Sequence, residues 1–188
     1  MVAATPVSRS APLPGETRWI MSENYILWLT AGLKVVIIAL LILAAVRDVM
    51  TRTVPNWMPA VLAVCCAALA SCEFRLAWGL GFGLAIFGAS LICWWRGWMG
   101  GADVKLLGAT AIVVAPSVAG TFLLAVTLSG GCLAIAYLAG RFILPHSVSQ
   151  RPKQLFRRVL RVEAWRIRHR GPLPYACAIA AGTIFILR

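Results

Sequence analysis

Acidic residues are scarce in this chain of 188 residues: two aspartates, Asp48 and Asp103, and four glutamates. Charged residues of both signs make up only 13% of it, against about a quarter in ordinary soluble domains. Such a chain has too little polar surface to cover a globule in water, so lipid is its main solvent. Histidine is nearly missing. His146 and His169 both lie in one basic stretch near the C-terminal end, so no Ser-His-Asp arrangement is available. No GxxxxGK[ST] phosphate loop occurs, which removes support for nucleotide hydrolysis. The cysteines Cys65, Cys66, Cys72, Cys93, Cys132 and Cys177 form no CxxC pair and have no histidine at zinc-ligand spacing. They read as small apolar packing residues, with no metal, no disulfide framework and no cofactor expected.

Apolar residues are what the chain has in excess. It is 61% hydrophobic, with a mean hydropathy of +0.84. The net charge is +12, from 18 Lys and Arg against 6 Asp and Glu. A basic balance can signal nucleic acid, but that requires a soluble basic face. In a membrane chain the same excess marks cytoplasmic loops, so no nucleic-acid partner is expected.

Residues 1–24 read as a disordered tail rich in Pro, Ser, Ala and Thr, without the compact apolar run of a signal peptide. Met21 opens a more start-like sequence, MSENYILWLT, and translation beginning there is an expectation that intact-mass measurement checks. Residues 25–188 form a single membrane domain. A crossing helix needs about 20 apolar residues. The pattern predicts an all-α bundle of six spans, at about 26–46, 57–72, 76–95, 104–118, 120–140 and 172–187. The fourth is the shortest, and Pro116 interrupts it. Gly79, Gly81, Gly83 and Gly88 in the third suit close helix packing.

Arg47 and Arg52 follow the first span, Arg96 and Lys105 flank the joint after the third, and nine Lys and Arg crowd a loop at about 141–171. The alternate joints are poor in charge: Glu73 and Arg75 cancel, and residues 116–120 carry none. Cationic loops stay on the cytoplasmic side. The expected topology has the N-terminus outside and Asp48, Asp103 and the basic loop at the cytoplasmic face. Trp57, Trp94, Trp95 and Trp98 fall near that face as interfacial anchors. Leu155, Phe156, Val159, Val162 and Trp165 recur at roughly helical spacing within the loop, as in a helix lying against anionic lipid.

An ionisable group beside a membrane span is costly and is therefore a candidate for function. Asp48 ends the first span in LLILAAVRDVMTRTVPNW, at the end of a helix whose dipole disfavours a carboxylate. Its plain alternative is an ion pair with Arg47 or Arg52. Asp103 begins the fourth span in WMGGADVKLLGA, where the plain alternative is a helix cap. The glycines before it permit bending and close approach, as an extended substrate requires. Two carboxylates at one depth can share a proton and act as base and acid on a water and a carbonyl.

At these residues the chain resembles the type IV prepilin peptidases, of the GxGD class of intramembrane aspartyl proteases, and most of all their small branch from Tad-type pilus systems. Three motifs carry the resemblance. The first is D-x6-PN, here Asp48, Pro55 and Asn56; the second is GxGD-x-K, here Gly100, Gly101, Ala102, Asp103 and Lys105. The third is the closing PYACAIAAG, Pro174 to Gly182. The resemblance implies that Asp48 and Asp103 are the catalytic pair of an aspartic endopeptidase. It implies cleavage of prepilin or pseudopilin leader peptides at the cytoplasmic face of a bacterial inner membrane. Ala102 departs from the motif, which has glycine there, and alanine reaches positive φ less readily. Larger bifunctional members carry a zinc domain with paired CxxC motifs, associated with N-methylation. This chain has no such motif, so cleavage without methylation is expected. Lys105 reads either as a residue that positions substrate or holds the field of the pair, or as a snorkelling anchor. The competing function is a non-catalytic pilus or secretion assembly factor whose basic loop binds lipid.

Overall fold

The computed structural model describes residues 14–143, 162–167 and 173–188. Among the described residues all regular structure is helical: α1 (Pro14–Thr51), α2 (Trp57–Cys72), α3 (Leu76–Trp95), α4 (Gly101–Ala111), a 3-10 turn (Pro116–Val118) and α5 (Ala119–Ile143). A short helical stretch, α6, follows at 162–167, and α7 (Tyr175–Leu187) closes the chain. Helix α1 begins at Pro14, well ahead of the span expected from residue 26; proline's fixed φ suits a first helical position.

Buried side chains recur every three or four positions along each helix. Helix α1 buries Ile37, Leu41 and Ala44; α2 buries Met58, Leu62, Cys66 and Leu69; α7 buries Ala176, Ile179, Ala180 and Thr183. That spacing puts one stripe of each helix on a common core. Helix α4 packs against α2, α3 and α7, and α7 also packs on α1 and α5. Large apolar side chains such as Trp28, Val35, Val64, Leu84 and Ile135 face outward. Exposed apolar surface on this scale fits hydrocarbon as the surrounding solvent.

Two close approaches rest on glycine. A Cβ on Gly79 would lie 2.3 Å from the Ile112 carbonyl oxygen, and one on Gly83 would lie 3.1 Å from the Gly108 oxygen. The α3–α4 contact therefore needs these two, in line with the packing expectation, whereas Gly81 and Gly88 face open space. On the other side of the bundle, a Cβ on Gly182 would lie 2.9 Å from the Val126 nitrogen, and the Ser129 hydroxyl donates to the Ala178 carbonyl at 2.9 Å.

Three helices are long and apolar enough to cross a membrane: Asn24–Thr51, Leu76–Trp95 and Pro116–Phe142. Helices α2 and α7 are apolar but shorter, and α4 has 11 residues. The expected count of six is therefore supported for three. The sequence of α4 is apolar because protein surrounds it, with Val104, Leu106, Ala109, Thr110 and Ala111 all buried. Hydropathy scores apolar residues alike whether they meet lipid or protein.

Candidate active site

Asp48 continues the buried stripe of α1, four residues beyond Ala44, and is only 8% exposed. The chain then leaves the helix through Arg52, whose N–H donates to the Asp48 carbonyl at 2.9 Å and whose φ is 57°. A left-handed residue at this point ends a helix, usually as glycine. The N-terminal end of α7 covers the Asp48 side chain: the Ala176 N–H donates to Asp48 Oδ2 at 3.3 Å. The dipole of α1 disfavours a carboxylate here, and the opposite end of α7 supplies the donor and the favourable dipole.

Asp103 lies in the first turn of α4, outside the three long spans. Its side chain does not cap the helix. Gly100 occupies the cap position, and no side-chain cap hydrogen bond forms there. The Asp103 carboxyl folds back over Gly100 so closely that a Cβ on that residue would lie 2.9 Å from Oδ2. This is what the first motif glycine allows. Gly101 abuts Trp94, whose Nε1 would lie 3.3 Å from a Cβ placed there. Ala102 sits inside α4 and packs on the core. Its place within the helix removes the concern about positive φ, because alanine is the residue best suited to helical backbone.

The two aspartates line one cavity of about 850 Å³, together with Arg52, Trp98, Gly100 and Tyr175. Burial pushes Asp103 from its ordinary range up to about 6, and the charge of Asp48 adds to the rise. The Gly100 amide and Arg52 act in the opposite direction. The arrangement has what shared-proton chemistry needs: two acids within electrostatic reach, partly withdrawn from water, in a space large enough for an extended peptide.

Two further motif residues, Asn56 and Lys105, meet outside this cavity and line another one, between α2, α3 and α4. Lys105 Nζ donates to Asn56 Oδ1 at 2.8 Å, joining the PN motif to the GxGD-x-K motif across 49 positions of chain. Asn56 precedes α2 without capping it and instead accepts from Lys105. Pro55 supplies the carbonyl that accepts the Met58 N–H at 3.0 Å. Trp57, Trp94, Trp95 and Trp98 are all exposed, and Arg96 stacks on Trp98 with 5.5 Å to the ring centroid.

A second cluster borders the cavity and was not expected. Arg52 Nη2 donates to both Glu163 carboxylate oxygens, at 3.1 and 2.9 Å, and to the Tyr137 hydroxyl oxygen at 3.2 Å. Tyr137 donates in turn to Glu163 Oε2 at 2.9 Å. Arg166 Nη1 donates to Glu163 Oε1 at 2.8 Å and to the Val49 carbonyl at 2.8 Å. The signal available in the sequence was Glu163 itself, the sole acid after Asp103. Of the amphipathic pattern expected in the basic loop, Val162 and Trp165 are described, helical and exposed. Leu155, Phe156 and Val159 lie outside the described residues.

Comparison with known proteins adds one match. No curated protein and no solved structure matches the chain. Residues 35–135 match the model of the type IV leader peptidase family, a stretch that contains both aspartates, Asn56 and Lys105. The match spans more than half of the 188 residues, and the chain belongs to the type IV leader peptidase family.

Proposed function

We infer that this protein is a membrane-embedded aspartyl endopeptidase that removes the leader peptides of Tad/Flp-type prepilins at the cytoplasmic membrane face. Asp48 and Asp103 are its catalytic pair, and it does not methylate its product. The observation that carries this reading is that the only two aspartates of the chain line one cavity, with Asp103 pushed up to about 6. Family membership supports leader cleavage. The cationic joints support a cytoplasmic site, and the lack of any CxxC pair supports cleavage without methylation.

The chemistry follows from one proton held between two carboxyl groups. The ionised member accepts a proton from water as the water oxygen bonds to the scissile carbonyl carbon. The protonated member gives its proton to the carbonyl oxygen. Collapse of the tetrahedral intermediate breaks the C–N bond. As it collapses, one hydroxyl of the intermediate returns its proton to the ionised member and becomes the product carbonyl oxygen, while the leaving nitrogen takes the proton of the other member, so the pair is again singly protonated. The titration belongs to the pair and not to either residue. The Ala176 N–H holds one Asp48 oxygen in place while this happens.

Co-expression with a cognate prepilin tests the reading. Leader loss is followed by gel shift, and the mature N-terminus is identified by mass spectrometry. Asp48→Ala and Asp103→Ala should each abolish processing while the protein still accumulates. A methylated mature N-terminus dependent on this protein would contradict the second half of the claim.

A further inference from the structure

We propose that Arg52 is a positioning residue for the aspartate pair, and that Glu163, by gripping the Arg52 guanidinium, makes the 162–167 stretch a working part of the active site. The inference rests on the aspartyl peptidase reading above and deepens it.

Arg52 lines the cavity that holds Asp48 and Asp103. It is placed there by backbone and side chain together. Its φ of 57° is one that L-residues seldom adopt, and such outliers persist where surrounding contacts over-determine them. Those contacts are present: Glu163 is only 7% exposed and takes both of its Arg52 hydrogen bonds on a buried carboxylate. Tyr137 from α5 closes the triangle at 3.2 and 2.9 Å. Arg166 fastens the same carboxylate to the last turns of α1 through the Val49 carbonyl, next to Asp48 in sequence. A stretch of the basic loop is thereby joined to the end of the helix that bears one aspartate.

Charge gives the cluster its use. Two arginines to one glutamate leave it net positive beside a pair that must carry one negative charge. Arg52 counts among the groups that favour the ionised form of Asp103, against burial and the Asp48 charge. The titratable and charged groups that face the site are Asp48 and Arg52 at the end of α1, and Asp103 on α4. Among the described residues, Tyr137 on α5, Glu163 and Arg166 on α6, and Tyr175 and Cys177 on α7 complete the set. Arginine suits the role because its planar fork engages a carboxylate with several donors while its charge persists at every relevant pH.

The test uses the full chain purified in detergent, with Arg52→Gln, Arg52→Lys, Glu163→Gln and the double variant Arg52→Gln/Glu163→Gln. Two readouts are taken: the pH profile of prepilin cleavage, and the pH midpoint at which Tm changes through ionisation of the aspartates. Arg52→Gln should lower kcat about tenfold with little change in KM, and should move the acidic limb about one pH unit higher. The Tm midpoint should move the same way. Arg52→Lys should restore the limb but not the full kcat. The double variant should be no worse than Arg52→Gln, since Glu163 acts through Arg52. Multiplicative losses in the double variant, or an Arg52→Gln protein with unmoved limb and midpoint, overturn the proposal. Should Glu163→Gln fail to accumulate, the Arg52→Gln and Arg52→Lys pair decides it, because Glu163 there keeps Arg166. A wild-type protein that cleaves no prepilin while Arg52→Gln still moves the Tm midpoint defeats the peptidase reading and leaves the clamp standing.

Discussion

Replacing Gly100 with alanine isolates the geometry of Asp103 from its chemistry. The backbone at Gly100 has φ −71° and ψ 144°, a conformation open to any residue, so the substitution brings no backbone strain. The added Cβ would lie 2.9 Å from Asp103 Oδ2. Ordinary contact begins near 3.4 Å, so the carboxylate must retreat by about 0.5 Å. A misplacement of about 1 Å can cost on the order of 100-fold in rate, so about tenfold is expected in kcat. Stability should stay within about 0.5 kcal/mol of wild type, because the atom that yields is the end of a side chain. Cleavage kinetics and thermal unfolding of the purified protein separate the two. Wild-type kcat in Gly100→Ala would refute the placement of the Asp103 carboxyl over Gly100. A large loss of Tm would refute the claim that only a side chain yields.

Other expectations concern titration, helix packing and the charge of the basic loop. Asp103 holds its proton more tightly folded than unfolded, up to about 6 against 3.8, so its contribution to stability is present at low pH and is lost as pH rises through about 6. Asp103→Asn should therefore gain Tm relative to wild type as pH rises from 3.8 to about 6 and hold that gain above it, while cleavage disappears; a pH-independent Tm difference would contradict this. Gly79→Ala should lower Tm, since a Cβ there would lie 2.3 Å from the Ile112 backbone oxygen, whereas Gly81→Ala, facing open space, should not. Equal effects would show that α3 and α4 do not meet as described. Replacing Arg157, Arg158 and Arg161 with glutamine should weaken adsorption of anionic vesicles but leave cleavage in detergent intact. A greater loss of pilus assembly from these changes than from changing either aspartate would favour the assembly-factor alternative.

How much of this was legible in the sequence depended on whether the signal was local. Asp48 and Asp103 stood out because the chain has no other aspartate and both border apolar runs. The helices that stand alone in the pattern, α1, α3 and α5, were readable by length and hydropathy. The sequence of α4 reads as part of a span because burial in protein and burial in lipid select the same residues. Contacts between distant segments left no local trace. Asn56 and Lys105 stand in separate motifs, and only folding joins them at 2.8 Å. Glu163 is a single acid within a basic stretch, with nothing local to mark it, yet it is buried between two arginines. The alternative for Asp48, an ion pair with Arg47 or Arg52, identified the right arginine with a different partner: Arg47 is exposed, and Arg52 reaches Glu163. For Ala102 the sequence motif suggested a flexible loop, and the helix that contains it makes alanine unremarkable there.

The most direct test of the central claim is cleavage of a purified prepilin by the purified protein and by its Asp48→Asn and Asp103→Asn variants, followed at single turnover. Both substitutions keep shape and remove the acid. The account predicts that wild type releases the leader and that each variant alone loses all detectable cleavage. Processing at the wild-type rate by either variant would contradict the shared-proton pair.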